Sequence, residues 1–587
     1  MARAPLAFVV HPETLRRLPS DALVVPLRPG VWSDSRHPRA ERPENLIGSA
    51  DAQAIEQETE RIAAEWWRAA APDAFLWRDI HLGECFSQTL EMIVRDLLKT
   101  AAFVDRAWEK HRPGSVTTDA PALRDPSPPY PYFEAIGSVL RTRAIANGVP
   151  FDLLPVEATP RKSRASGSTL VAAYVARASR MARAVLRKGS VLLAFGPYPE
   201  SYGPVANARR GSSGSTVVLT TEHAPMRARP RSRLFVATLE SFVESATRKE
   251  IHSFVEHATA AVDDLDSSVI FGSRWQELGD LFRICLRALL ERELPVLAAA
   301  GVAFDRGAGN ATHLLMMETA SPSSKAAVRY ARRRGMPVTV IQHGIIAGAA
   351  SYRQTEGDRI AAWGPADAAW FRANLDPPVR AEPTGSPRHD QLVLGPARRR
   401  DAFVERLSKD ASVVMFASQP FVQDRASRSP WERQAAIEMV MEAAAQLSEA
   451  VFVVKWHPAE TPESIPQGET KRGTIVSTNT ADTIALVRRS AAVLAISSTV
   501  ALEAMYLRRP VVFLGAVDVS SPFHPPEDGG GVRAETEAEL VDQVRRLLQE
   551  KSFRETVLGR QDAFLATHYA PLDGKAAVRV VDLVENR

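Results

Sequence analysis

The stretch AVLAISSTVALEAMYLRRPVVF, residues 492–513, contains a strand, a serine pair, a helix and a second strand in immediate succession. Its first apolar run ends at Ser497 and Ser498, a helix-like segment follows, and Pro510 opens the next apolar run. Two parallel strands need a crossover connection, which is usually a helix. This stretch therefore predicts a βαβ unit within a parallel sheet.

The same rhythm of apolar run, turn and amphipathic helix recurs along the chain and predicts an α/β fold. Strands are predicted at residues 6–10, 22–26, 191–195, 216–220, 313–317, 337–341, 360–363, 413–416, 451–455, 493–496 and 511–514. Helices are predicted at residues 83–110, 134–147, 169–187, 239–261, 273–300, 321–334, 430–448, 499–507 and 537–550. Two stretches, 113–131 and 197–215, are rich in Pro or in Gly, Ser and Arg, and both are predicted to be irregular.

The length of 587 residues exceeds what one hydrophobic core supports, so at least two large domains are expected. A Gly-Pro break and a charge cluster within residues 394–406 predict the hinge between them. We expect two Rossmann-like, doubly wound domains that face a cleft. The first, residues 1–395, is enlarged by helical insertions and holds the acceptor, and the second, residues 406–587, holds the donor.

The composition excludes several classes of protein. The net charge of +4 is small for this length, so no nucleic-acid partner is expected. Two distant cysteines, Cys85 and Cys285, lie in apolar runs, which excludes a disulfide framework and indicates a reducing compartment. No stretch has the composition of a signal peptide or a membrane span, so we expect a cytoplasmic protein. The basic runs 225–233 and 332–334 allow peripheral contact with anionic lipids at the inner membrane face, or are simply solvated.

The serine pair is the first candidate site. Ser497, Ser498 and Thr499 fall where a helix begins, and there free backbone N–H groups and the helix dipole favour a phosphate. One turn further on, the Glu503 carboxylate could accept hydrogen bonds from two ribose hydroxyls. The alternative is that Ser498 only caps the helix.

A second candidate is KWHP, residues 455–458. Lys455 and His457 end an apolar strand, and ligands of parallel α/β folds bind at the carboxyl ends of the strands. Pro458 stops the strand and fixes the direction in which the chain leaves it. The alternative is that His457 is an ordinary surface histidine.

Two further candidates lie upstream. His343 follows the end of an apolar strand, within Gln342-His343-Gly344. Histidine is the side chain best suited to accept a hydroxyl proton near neutral pH, so His343 is the first candidate base. Glu318, at the end of the preceding strand, is the next candidate base. In TGSPRHD, residues 384–390, Arg388 offers a fork that suits phosphate or carboxylate. Each residue could instead be structural, and Arg388 could form a salt bridge at the hinge.

These motifs taken in order resemble a known family. QHG (342–344), WG (363–364), TGSPRHD (384–390), KWHP (455–458), SSTVALEA (497–504) and RRPVV (508–512) resemble those of bacterial surface-polysaccharide transferases of GT-B fold. That group includes polysialyltransferases, capsule Kdo transferases and CDP-glycerol glycerophosphotransferases, which share paired HP and SS motifs. The resemblance covers about residues 310–580.

The resemblance implies roles for residues of this chain. His457, Ser497 and Ser498 would contact the phosphate of a CMP- or CDP-linked donor, and His343 would be the base. It also implies no cofactor and no catalytic metal. Two features differ from the glycerophosphotransferases. Their serine pair is preceded by an aspartate and a tyrosine, which this chain lacks. They also have an aspartate one position before the place of Glu503, and this chain has Glu503 instead. These departures favour a sugar transferase.

The sequence therefore predicts a glycosyltransferase of capsule or cell-envelope polysaccharide synthesis. It would move a sugar from a nucleotide-activated donor to a growing polysaccharide or a lipid-linked glycan. The alternatives are a CDP-polyol phosphotransferase, a nucleotide-sugar 2-epimerase, or a binding module without catalysis. The sequence leaves open the sugar, the acceptor, the linkage and the oligomeric state.

Overall fold

The structure is a computed structural model that describes residues 3–27, 31, 39–120, 132–154, 169–186, 191–196, 198–209, 214–220, 234–272, 275, 278–346, 350–395, 400–407, 409–419, 430–457, 460, 468–470, 473–515 and 527–585. The strands are β1 (Pro5–Val9), β2 (Leu23–Pro26), β3 (Leu76–Trp77), β4 (Ile80–His81), β5 (Ser115–Thr118), β6 (Phe151–Leu153), β7 (Val191–Phe195), β8 (Ser215–Thr220), β9 (Leu234–Thr238), β10 (Ala311–Met316), β11 (Val338–Ile341), β12 (Arg359–Ala362), β13 (Arg380–Pro383), β14 (Ser412–Ala417), β15 (Ala450–Lys455), β16 (Gly468–Thr470), β17 (Gly473–Thr478), β18 (Ala492–Ala495), β19 (Val511–Leu514) and β20 (Val532–Ala534). The helices are α1 (Ser49–Ala69), α2 (Ser87–His111), α3 (Tyr132–Ala146), α4 (Thr169–Leu186), α5 (Pro199–Ala208), α6 (Ser245–Asp263), α7 (Ser267–Phe271), α8 (Gly279–Gly307), α9 (Pro322–Arg333), α10 (Ala350–Arg353), α11 (Pro365–Asn374), α12 (Asp390–Val393), α13 (Ala402–Arg406), α14 (Pro430–Gln446), α15 (Thr483–Arg489), α16 (Thr499–Tyr506), α17 (Glu537–Gln549), α18 (Lys551–His568) and α19 (Ala576–Glu585).

Two seven-stranded sheets dominate the molecule. The first has the order β13-β12-β11-β10-β7-β8-β9, and all its neighbouring strands are parallel. The second has the order β16-β17-β15-β14-β18-β19-β20, and only its edge pair β16–β17 is antiparallel. Their central strands are buried along their whole length, as in sheets covered by helices on both faces. These sheets confirm the prediction of two Rossmann-like domains.

A third parallel sheet, β2-β1-β5-β6, lies in the first 153 residues and packs with helices α1, α2 and α3. The sequence predicts helical insertions there, and the structure adds this separate sheet to them. Its strand β5 falls inside the stretch 113–131 that is predicted to be irregular, of which residues 121–131 lie outside the described residues. Strand β5 has only four residues, SVTT, and one of them is apolar, so its sequence does not predict a strand.

Helix α5 corrects the predicted loop at residues 197–215. The segment contains Gly203 and Pro204, which are unfavourable inside a helix, yet it begins at Pro199, a position that suits proline. Packing decides the outcome, because Tyr202 is fully buried and its hydroxyl donates a hydrogen bond to the Phe195 carbonyl. The rest of this segment includes residues 210–213, which are outside the described residues.

The last helix crosses between the two large sheets. Helix α19 follows the second sheet in sequence, but its apolar residues, such as Val580 and Leu583, pack against Leu192 and Leu315 of the first. Asp390 accepts hydrogen bonds from the first two backbone N–H groups of this helix, at 2.9 Å each. The chain end thereby ties the second domain to the first.

Two properties of the described residues bear on the class of protein. None of the helices described is both long and apolar enough to cross a membrane. Cys85 and Cys285 are buried, as expected, and form no disulfide with each other, and burial raises the pKa of the Cys85 thiol to about 11.

Candidate active site

The serine pair lies at the carboxyl edge of the second large sheet. Strand β18 ends at Ala495, and α16, which we call the serine-pair helix, begins at Thr499. Ser498 is its N-cap, and the Ser498 hydroxyl accepts a hydrogen bond from the Val500 N–H at 3.3 Å. The capping role is therefore present, and phosphate binding by Ser498 stays a prediction. Ser497 is instead bound by Gln419, which follows the neighbouring strand β14.

The KWHP motif lies on the same edge, where β15 runs beside β14. Lys455 is only 7% exposed, and its ammonium donates to the carbonyls of Trp456 and Asn479 at 3.0 and 3.3 Å. The charged group of Lys455 thus holds strand ends together, and its contact with a donor stays a prediction. The same burial lowers the pKa of Lys455. His457 is exposed at this edge, where a ligand could reach it.

Glu460 fixes the backbone beside His457. Its carboxylate accepts the His457 N–H at 2.7 Å and the Ser418 hydroxyl at 2.9 Å. Its side chain is 2% exposed and lies 2.7 Å from Arg433. A buried, fully bonded carboxylate is rigid, so the ends of β14 and β15 are held in fixed register.

The loop that carries His343 is pinned by two buried side chains. Gln342 donates to the Gly344 carbonyl at 2.8 Å and to Asp367 at 2.7 Å, and it accepts the Trp363 N–H at 2.8 Å. The Tyr352 hydroxyl donates to the Gly344 carbonyl at 2.9 Å and accepts its N–H at 3.2 Å. The loop therefore has one well-defined shape.

The imidazole of His343 stacks on the Tyr352 ring, with centroids 5.1 Å apart and planes inclined by 22°. Burial lowers the pKa of His343, while the charge of Glu318 and a hydrogen bond with the Met317 backbone act in the opposite direction. The net direction is downward, so the ring is neutral at neutral pH. A neutral imidazole is the form that accepts a proton.

Glu318, the second candidate base, binds the residues at the start of helix α9. Its carboxylate accepts hydrogen bonds from the Ser321 N–H and hydroxyl, both at 2.9 Å, and from the Ser324 hydroxyl at 2.6 Å. These bonds hold Ser321, the N-cap of helix α9, and the first turn that follows it. The role of Glu318 as a base stays a prediction. Its remaining link to the site is the charge that raises the pKa of His343.

Arg388 and Glu503 bind each other across the two large domains. The Arg388 guanidinium donates to the Glu503 carboxylate at 2.7 Å, and the His389 imidazole lies 3.5 Å from the same oxygen. Glu503 is 5% exposed. Burial alone would raise the pKa of Glu503, but His389 and Arg388 lower it below its ordinary value. The salt bridge that was the alternative for Arg388 is therefore present. Binding of phosphate by Arg388 and of ribose by Glu503 stays a prediction, and a ribose contact would require the pair to open.

The two main candidate motifs face each other. A methyl group added at Gly344 would lie 3.6 Å from the Thr499 hydroxyl oxygen, at the first turn of the serine-pair helix. The histidine loop of one domain thus meets the helix start of the other. The histidine belongs to the first domain, and the helix start with its backbone N–H groups and hydroxyls belongs to the second.

Sequence reasoning missed several residues that build this cleft: Gln342, Tyr352, Asp367, His389 and Gln419. Gln342 directly follows strand β11, and Gln419 lies two residues after the end of strand β14. Parallel sheets hold ligand-binding residues at these carboxyl ends, so this signal could have found both. Tyr352, Asp367 and His389 are recognised only by their contacts.

The comparisons with known proteins agree with the motifs. Residues 379–586 match the family of CDP-Glycerol:Poly(glycerophosphate) glycerophosphotransferase. A comparison with curated proteins finds no match. The match confirms the resemblance found in the motifs and indicates a transferase enzyme, and the two facing Rossmann-like domains form a GT-B fold.

Solved structures of similar fold include three of different kinds. UDP-GlcNAc 2-epimerase from Neisseria meningitidis bound to UDP-GlcNAc is 12% identical, with a TM-score of 0.41 over 68% of this chain and 100% of the other. The glycosyltransferase SnogD from Streptomyces nogalater is 14% identical, with a TM-score of 0.38 over 68% and 100%. The wall teichoic acid polymerase TagF with CDPG is 12% identical, with a TM-score of 0.40 over 71% and 94%.

Proposed function

We propose that the protein transfers a sugar from a CMP- or CDP-linked donor to a hydroxyl of a growing cell-surface polymer. The observation that carries the proposal is the approach of the His343–Gly344 loop to the start of the serine-pair helix. The base and the phosphate site need to lie on opposite sides of the reacting carbon. The approach of the two motifs from different domains supports this arrangement.

The proposed reaction is a single displacement. The acceptor oxygen attacks the anomeric carbon while His343 takes its proton. The bond from that carbon to the nucleotide phosphate oxygen breaks, and its electron pair stays on the phosphate. The serine-pair helix, with Ser497 and Ser498, and His457 would stabilise this charge. The step needs no cofactor and no metal ion.

A second candidate is transfer of a polyol phosphate from a CDP-linked donor. The match of residues 379–586 to a glycerophosphotransferase family favours it. The two sequence differences from the glycerophosphotransferases, at the residues before the serine pair and at Glu503, favour transfer of a sugar instead. The difference at Glu503 is the weaker argument, because Glu503 is buried. Both reactions would use the same base. Transfer of a polyol phosphate would break the bond between the two phosphates and release CMP, whereas transfer of a sugar from a CDP-linked donor would release CDP. A nucleotide-sugar 2-epimerase would use no acceptor.

A peripheral place on the cytoplasmic face of the inner membrane stays a prediction. Of the two basic runs considered for it, residues 225–233 lie outside the described residues. In the other, Arg332 pairs with Glu356 at 3.7 Å and Arg333 pairs with Asp305. These pairs neutralise part of that run.

Product analysis tests the proposal. The protein is incubated with CMP- and CDP-linked sugars or polyols, with and without an oligosaccharide acceptor, and the products are identified by mass spectrometry. We expect an acceptor-dependent glycosidic product and release of CMP or CDP. A phosphodiester product would support the second candidate instead. Turnover without acceptor, or no turnover of any donor, would contradict both.

A further inference from the structure

Gln419 holds the serine of the proposed phosphate site in one hydrogen-bonding state. It directly follows Ser418, whose N–H donates to the Lys455 carbonyl at 3.0 Å and whose hydroxyl donates to Glu460 at 2.9 Å. The backbone beside Gln419 is therefore anchored to the end of β15. From this position the carboxamide reaches both the N–H and the hydroxyl of Ser497.

The orientation of the carboxamide follows from chemistry. The Ser497 backbone N–H can only donate, so the amide atom 3.2 Å from it is the oxygen of Gln419. The other amide atom is then the NH₂ group, which can only donate, and it lies 3.0 Å from the Ser497 hydroxyl oxygen. Ser497 thus accepts one hydrogen bond from Gln419.

The hydroxyl hydrogen of Ser497 can serve another acceptor. The Ser497 hydroxyl oxygen lies 3.5 Å from the Gln419 oxygen, well beyond the usual 2.5–3.0 Å for a bond between oxygens, so a bond between these two atoms is weak. The Gln419 oxygen already accepts the Ser497 N–H. A hydroxyl that accepts on one side and has its hydrogen free on the other is set as a donor, which suits an anionic oxygen.

We propose that Gln419 is a positioning residue, which sets Ser497 as a hydrogen-bond donor to the phosphate of the nucleotide. This inference rests on the proposed function and adds a residue to its phosphate site. A carboxylate at position 419 would reverse the arrangement. It would attract the hydroxyl hydrogen and repel the phosphate. An apolar side chain would leave the hydroxyl free to rotate.

The experiment compares Gln419→Met, Gln419→Glu, Ser497→Ala and the double variant Gln419→Met/Ser497→Ala. Calorimetry gives the Kd of CDP, and saturation-transfer NMR follows cytidine, which has no phosphate. Because a hydrogen bond to a charged group is lost, we expect Gln419→Met to weaken CDP by about 10-fold, and Gln419→Glu by more. Cytidine should change by less than about 2-fold, since the Gln419 effect acts on the phosphate alone.

The double variant shows whether Gln419 acts through Ser497. If it does, the double variant should bind CDP no more weakly than Ser497→Ala, within about 2-fold. The matched control is Gln446→Met, an exposed glutamine of the same domain that bonds Glu442, and it should leave both ligands unchanged. Thermal melting of all variants verifies that they are folded.

Each other outcome has a definite meaning. The positioning role would be overturned if the effects of the two single substitutions on CDP affinity add in the double variant. It would also be overturned if Gln419→Met lowers the affinities for CDP and cytidine equally. A normal Gln419→Met beside an impaired Ser497→Ala would overturn this inference and leave the proposed function intact. A wild-type protein that binds none of CMP, CDP and UDP, or a Ser497→Ala variant that binds the nucleotide as tightly as the wild type, would overturn the proposed phosphate site and this inference with it.

Discussion

At the scale of single residues, the environment of His343 matters more than its place in the sequence. Many histidines follow strands without catalysing anything. His343 differs because Tyr352 both stacks on its ring and fixes the next residue through two hydrogen bonds. Its burial also lowers its pKa, which keeps the ring neutral at the pH where a base must work.

The pH dependence of turnover tests this role. The base works when neutral, so activity is lost as the pH falls through its pKa, which lies below the ordinary value of 6.5. We expect the acid limb of kcat/KM below about pH 6.5. Glu318 raises the pKa of His343, so Glu318→Gln should move the acid limb to still lower pH. A pH–rate profile measures both.

Substitution of the histidine completes this test. His343→Ala should abolish transfer and leave the affinity for nucleotide within a few fold, because the donor would rest on the other domain. His252→Ala is the control, since that histidine is exposed on helix α6. A His343→Ala variant that no longer binds nucleotide would make His343 a donor ligand or a structural residue.

At the scale of elements, the start of the serine-pair helix combines a structural and a proposed catalytic task. Ser497→Ala/Ser498→Ala removes the cap and both hydroxyls. Loss of an N-cap costs about 1 kcal/mol of stability. Loss of groups that stabilise a leaving phosphate should lower kcat by about 100-fold or more. The control is Thr536→Ala, which removes the N-cap of helix α17 and should lower stability without lowering turnover.

The measurements are steady-state rates and denaturant unfolding of both variants. If the serine variant loses stability but keeps its rate, its hydroxyls only cap the helix. The proposed leaving-group site would then have to be abandoned.

The elements that the sequence predicts well are the buried ones. Strands β7 and β19 match the prediction at both ends, because continuous apolar runs between polar turns leave little choice. Edge strands such as β13, with the sequence RAEP, were missed because exposed strands need no apolar run. Helix α5 was missed because its stability comes from packing, which overrides the unfavourable Gly203 and Pro204.

The positions of His343 and the serine pair were predictable, because each directly follows the end of a buried strand, and their chemical roles stay predictions. The pairing of Arg388 with Glu503 was not predictable, because spacing along the chain says nothing about partners 115 residues apart. The same limit applies to Gln419 and Ser497, which are 78 residues apart. Such pairs depend on how the domains and strands come together.

At the scale of the whole molecule, two of the contacts that hold the large domains together involve the TGSPRHD motif. One is helix α19, capped by Asp390, and the other is the ion pair of Arg388 with Glu503. Both partners in the first domain belong to TGSPRHD. The motif therefore connects the hinge side of one domain to the serine-pair helix and to the chain end of the other.

Breaking the ion pair should destabilise the protein and misplace the serine-pair helix. Arg388→Ala leaves the Glu503 carboxylate buried with only His389 beside it, a loss of about 3–5 kcal/mol. We expect a lower unfolding midpoint together with a lower kcat. Arg546→Ala removes an exposed arginine from helix α17, and it should cost less than about 1 kcal/mol. An Arg388→Ala variant as stable and active as the wild type would contradict the coupling.

The identity of the nucleotide determines which class of donor the protein uses. It can be found by measuring the melting temperature of the protein with CMP, CDP, UMP, UDP, GDP and ADP. A nucleotide at about 100 times its Kd adds about 2.7 kcal/mol to the state that binds it. For a domain of this size the melting temperature should then rise by about 5–10 °C. The cytidine assignment rests on resemblance, so we expect the largest shift with CMP or CDP. A clear preference for UDP would overturn the cytidine donor and leave the cleft chemistry intact, because the phosphate site does not read the base. No shift with any nucleotide would contradict the donor pocket itself.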